Sequence, residues 1–203
     1  MSTYGAIKSR VADELLRSDL TSQIAAAILR SIEFYADKRM QFNEKTLTAS
    51  TVADNQYVTL PTGLRTEDSV FATVGGYTYE LMKREFDQME YWHGASQSRG
   101  QPLDYAIRGT QVRIYPEPNA VYVLTFTGVY DETALSADGD TNGWCLGIPQ
   151  DLIVARTKYV IARDFLYDEE VMRNALIAER ESMERLRAET YARTSDRKVA
   201  PGW

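Results

Sequence analysis

The hydrophobic period of this 203-residue chain changes twice, and that change constrains the fold more than any other feature. At both ends apolar residues recur at the spacing that lines one side of an α-helix. In the middle they alternate, as in a half-buried strand. Helical ends around a strand-rich middle predict an α+β fold: a bundle of N- and C-terminal helices with a small antiparallel β-domain inserted between them. The expected boundaries are 1–42 and 149–190 for the helical part, 43–148 for the β-domain and 191–203 for a C-terminal tail.

In 2–17, Ala6, Ile7, Val11, Leu15 and Leu16 fall at helical spacing, and Ser18-Asp19 breaks the pattern. Thr21 or Asp19 is the expected cap of a second helix that reaches about Met40. Its stripe is Ile24, Ile28, Leu29, Ile32 and Tyr35. Near the other end Pro149 suits a first helical turn, where its missing N–H is not needed. Residues 152–167 are apolar nearly all round, which predicts a buried helix. Asp168-Glu169-Glu170 then opens a last helix, with acids at its positive end. That helix has a narrow stripe of Met172, Leu176, Met183 and Leu186, and periodicity is lost from 191 onward.

The middle reads as strands. Gln56-Tyr57-Val58-Thr59-Leu60-Pro61 stops at a proline, which cannot donate to a ladder. Residues 70–74 with 77–79, and 103–108 with 111–115, are predicted hairpins turning on Gly75-Gly76 and Gly109-Thr110. Residues 120–130 carry apolar side chains and threonines on both faces, the pattern of a central strand. A short helix is expected over 80–93 and polar loops over 94–102 and 131–147.

Composition narrows function by exclusion. A single cysteine, Cys145, cannot close an internal disulfide, and a single histidine, His93, leaves no His/Cys set for structural zinc. No apolar run is long enough to cross a membrane, and the first residues lack the basic start of a secretory signal, so synthesis in the cytoplasm is expected. The net charge of −6 is uneven. Residues 1–42 hold six basic and five acidic side chains, 43–148 seven and fourteen, and 149–203 ten of each. An acidic middle argues against a grip on nucleic acid, and the near-even first pair of helices against a helix-turn-helix reader.

Asp138-Gly139-Asp140-Thr141-Asn142-Gly143 fits the first half of a calcium loop, but Pro149 stands where a bidentate glutamate is required. No phosphate cradle, nucleophile elbow or catalytic pair is visible, so no enzyme, metal or cofactor is expected. Seven of the 13 tyrosines (Tyr57, Tyr77, Tyr79, Tyr105, Tyr115, Tyr122 and Tyr130) fall in predicted strands. Sheet propensity accounts for most of them. The alternative is a small β-rich module that binds carbohydrate or protein through these rings.

Several runs, taken in order, carry a resemblance. They are the opening helical pair followed by Tyr57-Val58-Thr59-Leu60-Pro61, then Leu103-Asp104-Tyr105-Ala106-Ile107, then Arg113-Ile114-Tyr115-Pro116-Glu117-Pro118. The strand 121–130, the loop 136–142 and Pro149-Gln150-Asp151-Leu152 follow. This series resembles bacteriophage head-to-tail adaptor, or connector, proteins. It is similar to those of short-tailed phages, including their tubular tail protein. Trp144-Cys145-Leu146-Gly147 departs from a more regular leucine-rich segment, and nothing after Ala192 aligns.

The resemblance implies a structural virion protein of the neck, assembled as a ring, by family a dodecamer, below the portal protein. It would lengthen the channel through which double-stranded DNA passes without specific binding, and carry a nozzle or tube protein of the tail. It implies subunit contacts through Met172, Leu176, Met183 and Leu186. Portal binding would fall to Tyr191, Arg193, Arg197, Lys198 and Trp203.

Overall fold

A computed structural model describes residues 2–93 and 98–195. Two helices, α1 (Tyr4–Leu15) and α2 (Thr21–Tyr35), come first. Strands β1 (Glu44–Ser50), β2 (Tyr57–Thr59), β3 (Leu64–Val74), β4 (Tyr77–Glu80) and β5 (Met82–Lys83) precede α3 (Phe86–His93). Then come β6 (Arg99–Gly100), β7 (Asp104–Arg108), β8 (Gln111–Tyr115), β9 (Glu117–Pro118) and β10 (Val123–Tyr130). The chain ends in α4 (Gly147–Ile161), prolonged by a π-helical turn over Ala162–Leu166, and α5 (Glu169–Ser195). The fold is α+β, with helices at both ends flanking antiparallel sheets. It divides into two compact units: the middle, Glu44–Tyr130, and the two ends, through Asn43 and from Asp131.

In the middle unit, one sheet runs β1-β10-β3-β4 and a second β2-β8-β7-β5. Val70, Ala72, Leu124 and Phe126 of the first share a buried core with Val58, Tyr105, Val112 and Ile114 of the second. β10 is central, paired antiparallel with β1 and β3. Its pairing with β3 shifts register at Gly128, where a Cβ would lie 2.1 Å from the Thr66 carbonyl oxygen. Gly75 and Gly76 both adopt positive φ, 57° and 86°, giving the turn whose twist matches a hairpin. At Gly109-Thr110 only the glycine does, at 61°, so the second hairpin turns differently from the first.

The helix expected over 80–93 is confined to α3, because Met82 and Lys83 pair in parallel with β7 and leave only Phe86–His93 free to coil. β1, which no local signal singled out, is an edge strand. Thr46, Leu47 and Thr48 are exposed, so it lacks the alternation of a half-buried strand. Arg113, only 1% exposed, anchors α3 to β8 by an ion pair with Glu90 at 2.6 Å.

In the helical unit Ile7, Val11, Ile24, Ile28, Leu152, Ile153, Ile161 and Leu186 form one core. Ala6 and Leu29 fall outside it, and Leu16 leaves the helix at a left-handed cap, 90% exposed. Leu20 rather than Thr21 or Asp19 stands at the cap of α2: the Thr21 hydroxyl donates to the Ser18 carbonyl, and Asp19 is held by Arg17. α2 stops at Tyr35, short of Met40, because the buried Asn43 side chain accepts from the Met40 N–H and donates to the Lys38 carbonyl, each at 2.8 Å. α4 is buried along most of its length, but the turn that prolongs it leaves Phe165 and Tyr167 exposed.

The segment from Asp131 packs with the helices. Leu135, Trp144 and Cys145 are buried in their core, and Phe42 meets Trp144 edge-on at 4.8 Å. The charge deficit of residues 43–148 is thereby divided. Glu44–Tyr130 holds seven basic and ten acidic residues, and the other four acids lie at Asp131, Glu132, Asp138 and Asp140.

Candidate assembly surfaces

α5 is the element on which the expected contact residues lie. Asp168 starts it: one carboxylate oxygen accepts from the N–H groups of Glu170 and Val171, each at 3.0 Å. The helix is fixed to its neighbours by a polar cluster. Arg156 of α4 pairs with Glu179 at 3.3 Å and stacks on Phe34 at 3.9 Å, while the Tyr35 phenol also donates to Glu179. Burial, and then the bond to Glu179, push the Tyr35 phenol well above its usual range, so it stays a donor.

On this scaffold the four expected subunit-contact residues part company. Leu186 is fully buried in the chain's own core and Met183 packs against that core. Met172 is half-buried. Leu176 points outward at 45% exposure beside Ile177 at 53%. Ile177 lies outside the expected set because it is off the Met172–Leu186 stripe; its signal in the sequence is an isoleucine on the polar side of an otherwise charged helix.

α5 continues past 190 to Ser195, carried by the i-to-i−4 ladder, with the Thr190 hydroxyl donating to the Leu186 carbonyl at 2.9 Å. Tyr191 is 75% exposed on it. Arg193 lies within the same helix, with its side chain outside the described residues. Arg197, Lys198 and Trp203 also lie outside them.

The calcium-like loop has a mechanical job. The carbonyls of Asp140 and Asp138 accept from the Tyr4 and Gly5 N–H groups, each at 2.9 Å, and the Thr3 hydroxyl accepts from Ala6. The first turn of α1 is thus capped by a loop distant in sequence. The Asp140 carboxylate is held below its usual range by the N–H groups of Ala137 and Ser136. Among the described residues no group of three His, Cys, Asp or Glu side chains could hold a metal ion. Burial raises the Cys145 thiol above its usual range, the reverse of what a nucleophile needs.

The strand tyrosines do not make an exposed aromatic groove. Tyr105 and Tyr130 are buried, and Tyr57, Tyr79, Tyr115 and Tyr122 half-buried. Their hydroxyls serve the unit itself: Tyr79 donates to the Pro102 carbonyl at 2.8 Å and Tyr130 to that of Phe126 at 3.1 Å. Only Tyr77, at the hairpin tip, stands largely free at 80% exposure.

The chain has helices at both ends of its sequence and two four-stranded sheets in the middle unit. A family model described as SU10 adaptor protein matches residues 2–202. The chain belongs to the SU10 adaptor protein family. No curated protein matches the sequence. As an SU10-type adaptor it is a structural phage protein, of a family that is not an enzyme class. No described helix is long and apolar enough to cross a membrane.

Proposed function

We propose that this adaptor assembles as a ring, a dodecamer, at the neck of the virion. There it docks below the portal protein, extends the channel for double-stranded DNA and presents a platform to a nozzle or tube protein of the tail. The observation that carries this reading is the span of the family match, which takes in both helical ends and the β unit without a break. Leu176 and Ile177, exposed on α5, are suited to subunit contacts, whereas Leu186 is occupied within the chain. Tyr191, Arg193, Arg197, Lys198 and Trp203 form the portal-binding end, since aromatic and arginine side chains are the usual anchors of interfaces. Many modest contacts closing into a ring supply the binding energy.

The test is to mix the protein with its portal, size the product and image it by negative stain. A twelvefold ring seated on the portal is expected, and a protein that stays monomeric with portal present overturns the reading. Removing 196–203 takes away Arg197, Lys198 and Trp203 while leaving α5 whole, and is expected to weaken portal attachment strongly with the helices retained by circular dichroism. Undiminished attachment refutes the role of that end.

A further inference from the structure

The outer face of α5 carries a second pattern that its core packing does not use. Glu170, Arg173, Ile177, Arg180, Glu184 and Arg187 follow one another at alternating steps of three and four, and all six are exposed. That is the spacing of a seam at which two helices meet. The seam is charged, and its order of signs is not arbitrary.

Two copies of α5 laid antiparallel, centred between Ile177 and Arg180, bring Glu170 opposite Arg187, Arg173 opposite Glu184 and Ile177 opposite Arg180. Two-fold symmetry repeats each of these, so four pairs of opposite charge flank a centre that contains both copies of Ile177, with Leu176 beside it, and both copies of Arg180, each offset by its own Glu184 at 3.2 Å. Laid parallel and in register, the same helices set Glu170 on Glu170, Arg173 on Arg173, Glu184 on Glu184 and Arg187 on Arg187. The signs favour one orientation and penalise the other.

Within the monomer the seam is little used. Arg180 pairs with Glu184 at 3.2 Å on an exposed surface, and among the described residues neither Arg173 nor Arg187 has an ion-pair partner.

We propose that free chains pair through a two-fold, antiparallel α5–α5 contact along this seam. The occupant of the face is a second copy of this chain, selected by charge complementarity. At about 1.5 Å of rise per residue the seam is roughly 25 Å long, shorter than a standard interface requires, so the association is weak and salt-sensitive. A closed two-fold contact uses one patch twice and does not propagate. It therefore covers Leu176 and Ile177 until assembly, and keeps free chains from building rings away from a portal.

The test is sedimentation of the full chain over a range of concentrations. The wild type is expected to dimerise in low salt, with the dissociation constant rising at least about tenfold in 0.5 M salt. Arg187→Glu sets like charges against Glu170 twice and is expected to weaken the dimer about tenfold or more. Arg187→Glu combined with Glu170→Arg exchanges the signs and is expected to bring the constant back to within about threefold of wild type. Circular dichroism confirms that each variant is folded, as substitutions on an exposed helix face allow. A wild type that is monomeric throughout overturns the proposal, as does a dimer indifferent to Arg187→Glu or a folded double variant that stays monomeric. Loss of portal binding with no change in self-association would assign the face to the portal instead, and also overturns it.

Discussion

Replacing Gly128 by alanine tests the β unit at its tightest point. The new Cβ would sit 2.1 Å from the Thr66 carbonyl oxygen, 3.0 Å from Glu67 Cα and 3.1 Å from Leu64 Cδ1. Two of these three are backbone atoms of β3, which cannot rotate away as the Leu64 side chain can. Relief requires β10 and β3 to part by about 1 Å, more than a ladder hydrogen bond tolerates within its usual range of about 2.7–3.2 Å.

Overpacking costs about 1–3 kcal/mol, and one or two weakened ladder bonds about 0.5–1.5 kcal/mol each. Against this, alanine restricts the unfolded chain by about 0.4–1 kcal/mol. The net expectation is a loss of about 2–4 kcal/mol. Amide hydrogen exchange read by mass spectrometry is the suitable assay, because it places the loss. A cost of about 2–4 kcal/mol accelerates exchange at least about 30-fold in β1, β3 and β10. Little change is expected in α4 and α5. Gly139→Ala is the control: nothing lies within 4 Å of its Cβ position, and no change is expected. Acceleration below about threefold in β10 would refute the close approach, since every 1.4 kcal/mol is about tenfold.

Leu186→Ala is expected to cost about 2–5 kcal/mol in urea unfolding, because it opens a cavity in the helical core. Leu176→Ala is expected to cost under about 0.5 kcal/mol and instead to impair ring formation on the portal; reversed outcomes would reverse the assignment of the two leucines. Acid should weaken the helical unit. Burial pushes the Glu14 carboxyl up, but hydrogen bonds from Lys158 and Arg10 outweigh it and hold it below the usual range; Arg163 does the same for Asp164. A lowered folded-state value means stability that is full above the ordinary carboxylate range and lost as pH falls through the lowered values. The melting temperature should therefore drop between about pH 5 and pH 3, and a flat profile would contradict the pairing. Cys145, buried and with its thiol raised, should react with a thiol reagent only on unfolding; prompt labelling of the native chain would place it elsewhere.

Much of the architecture was legible because the deciding interactions are short in sequence. The Gly75-Gly76 hairpin, the start of α5 at Asp168 and the all-round burial of α4 each follow from residues within a few positions of one another. The central place of β10 followed from threonines and apolar residues on both faces. Reading failed where the partner is remote. The length of α2 is cut by Asn43, Met82 joins a strand only because β7 lies beside it, and β1 is an exposed edge that no alternation could reveal.

The same division holds for the candidate surfaces. Sequence alone placed Met172, Leu176, Met183 and Leu186 on one helix. Tertiary packing decided that Leu186 faces inward and Leu176 outward, because a stripe a few residues wide is shared between a core and a surface according to where α4 lies. Sequence supplied an acidic run at 131–140, and only the folded chain turned two of its carbonyls into the cap of α1. Periodicity determines which residues can share a face. What that face meets depends on segments far along the chain, and only their packing decides it.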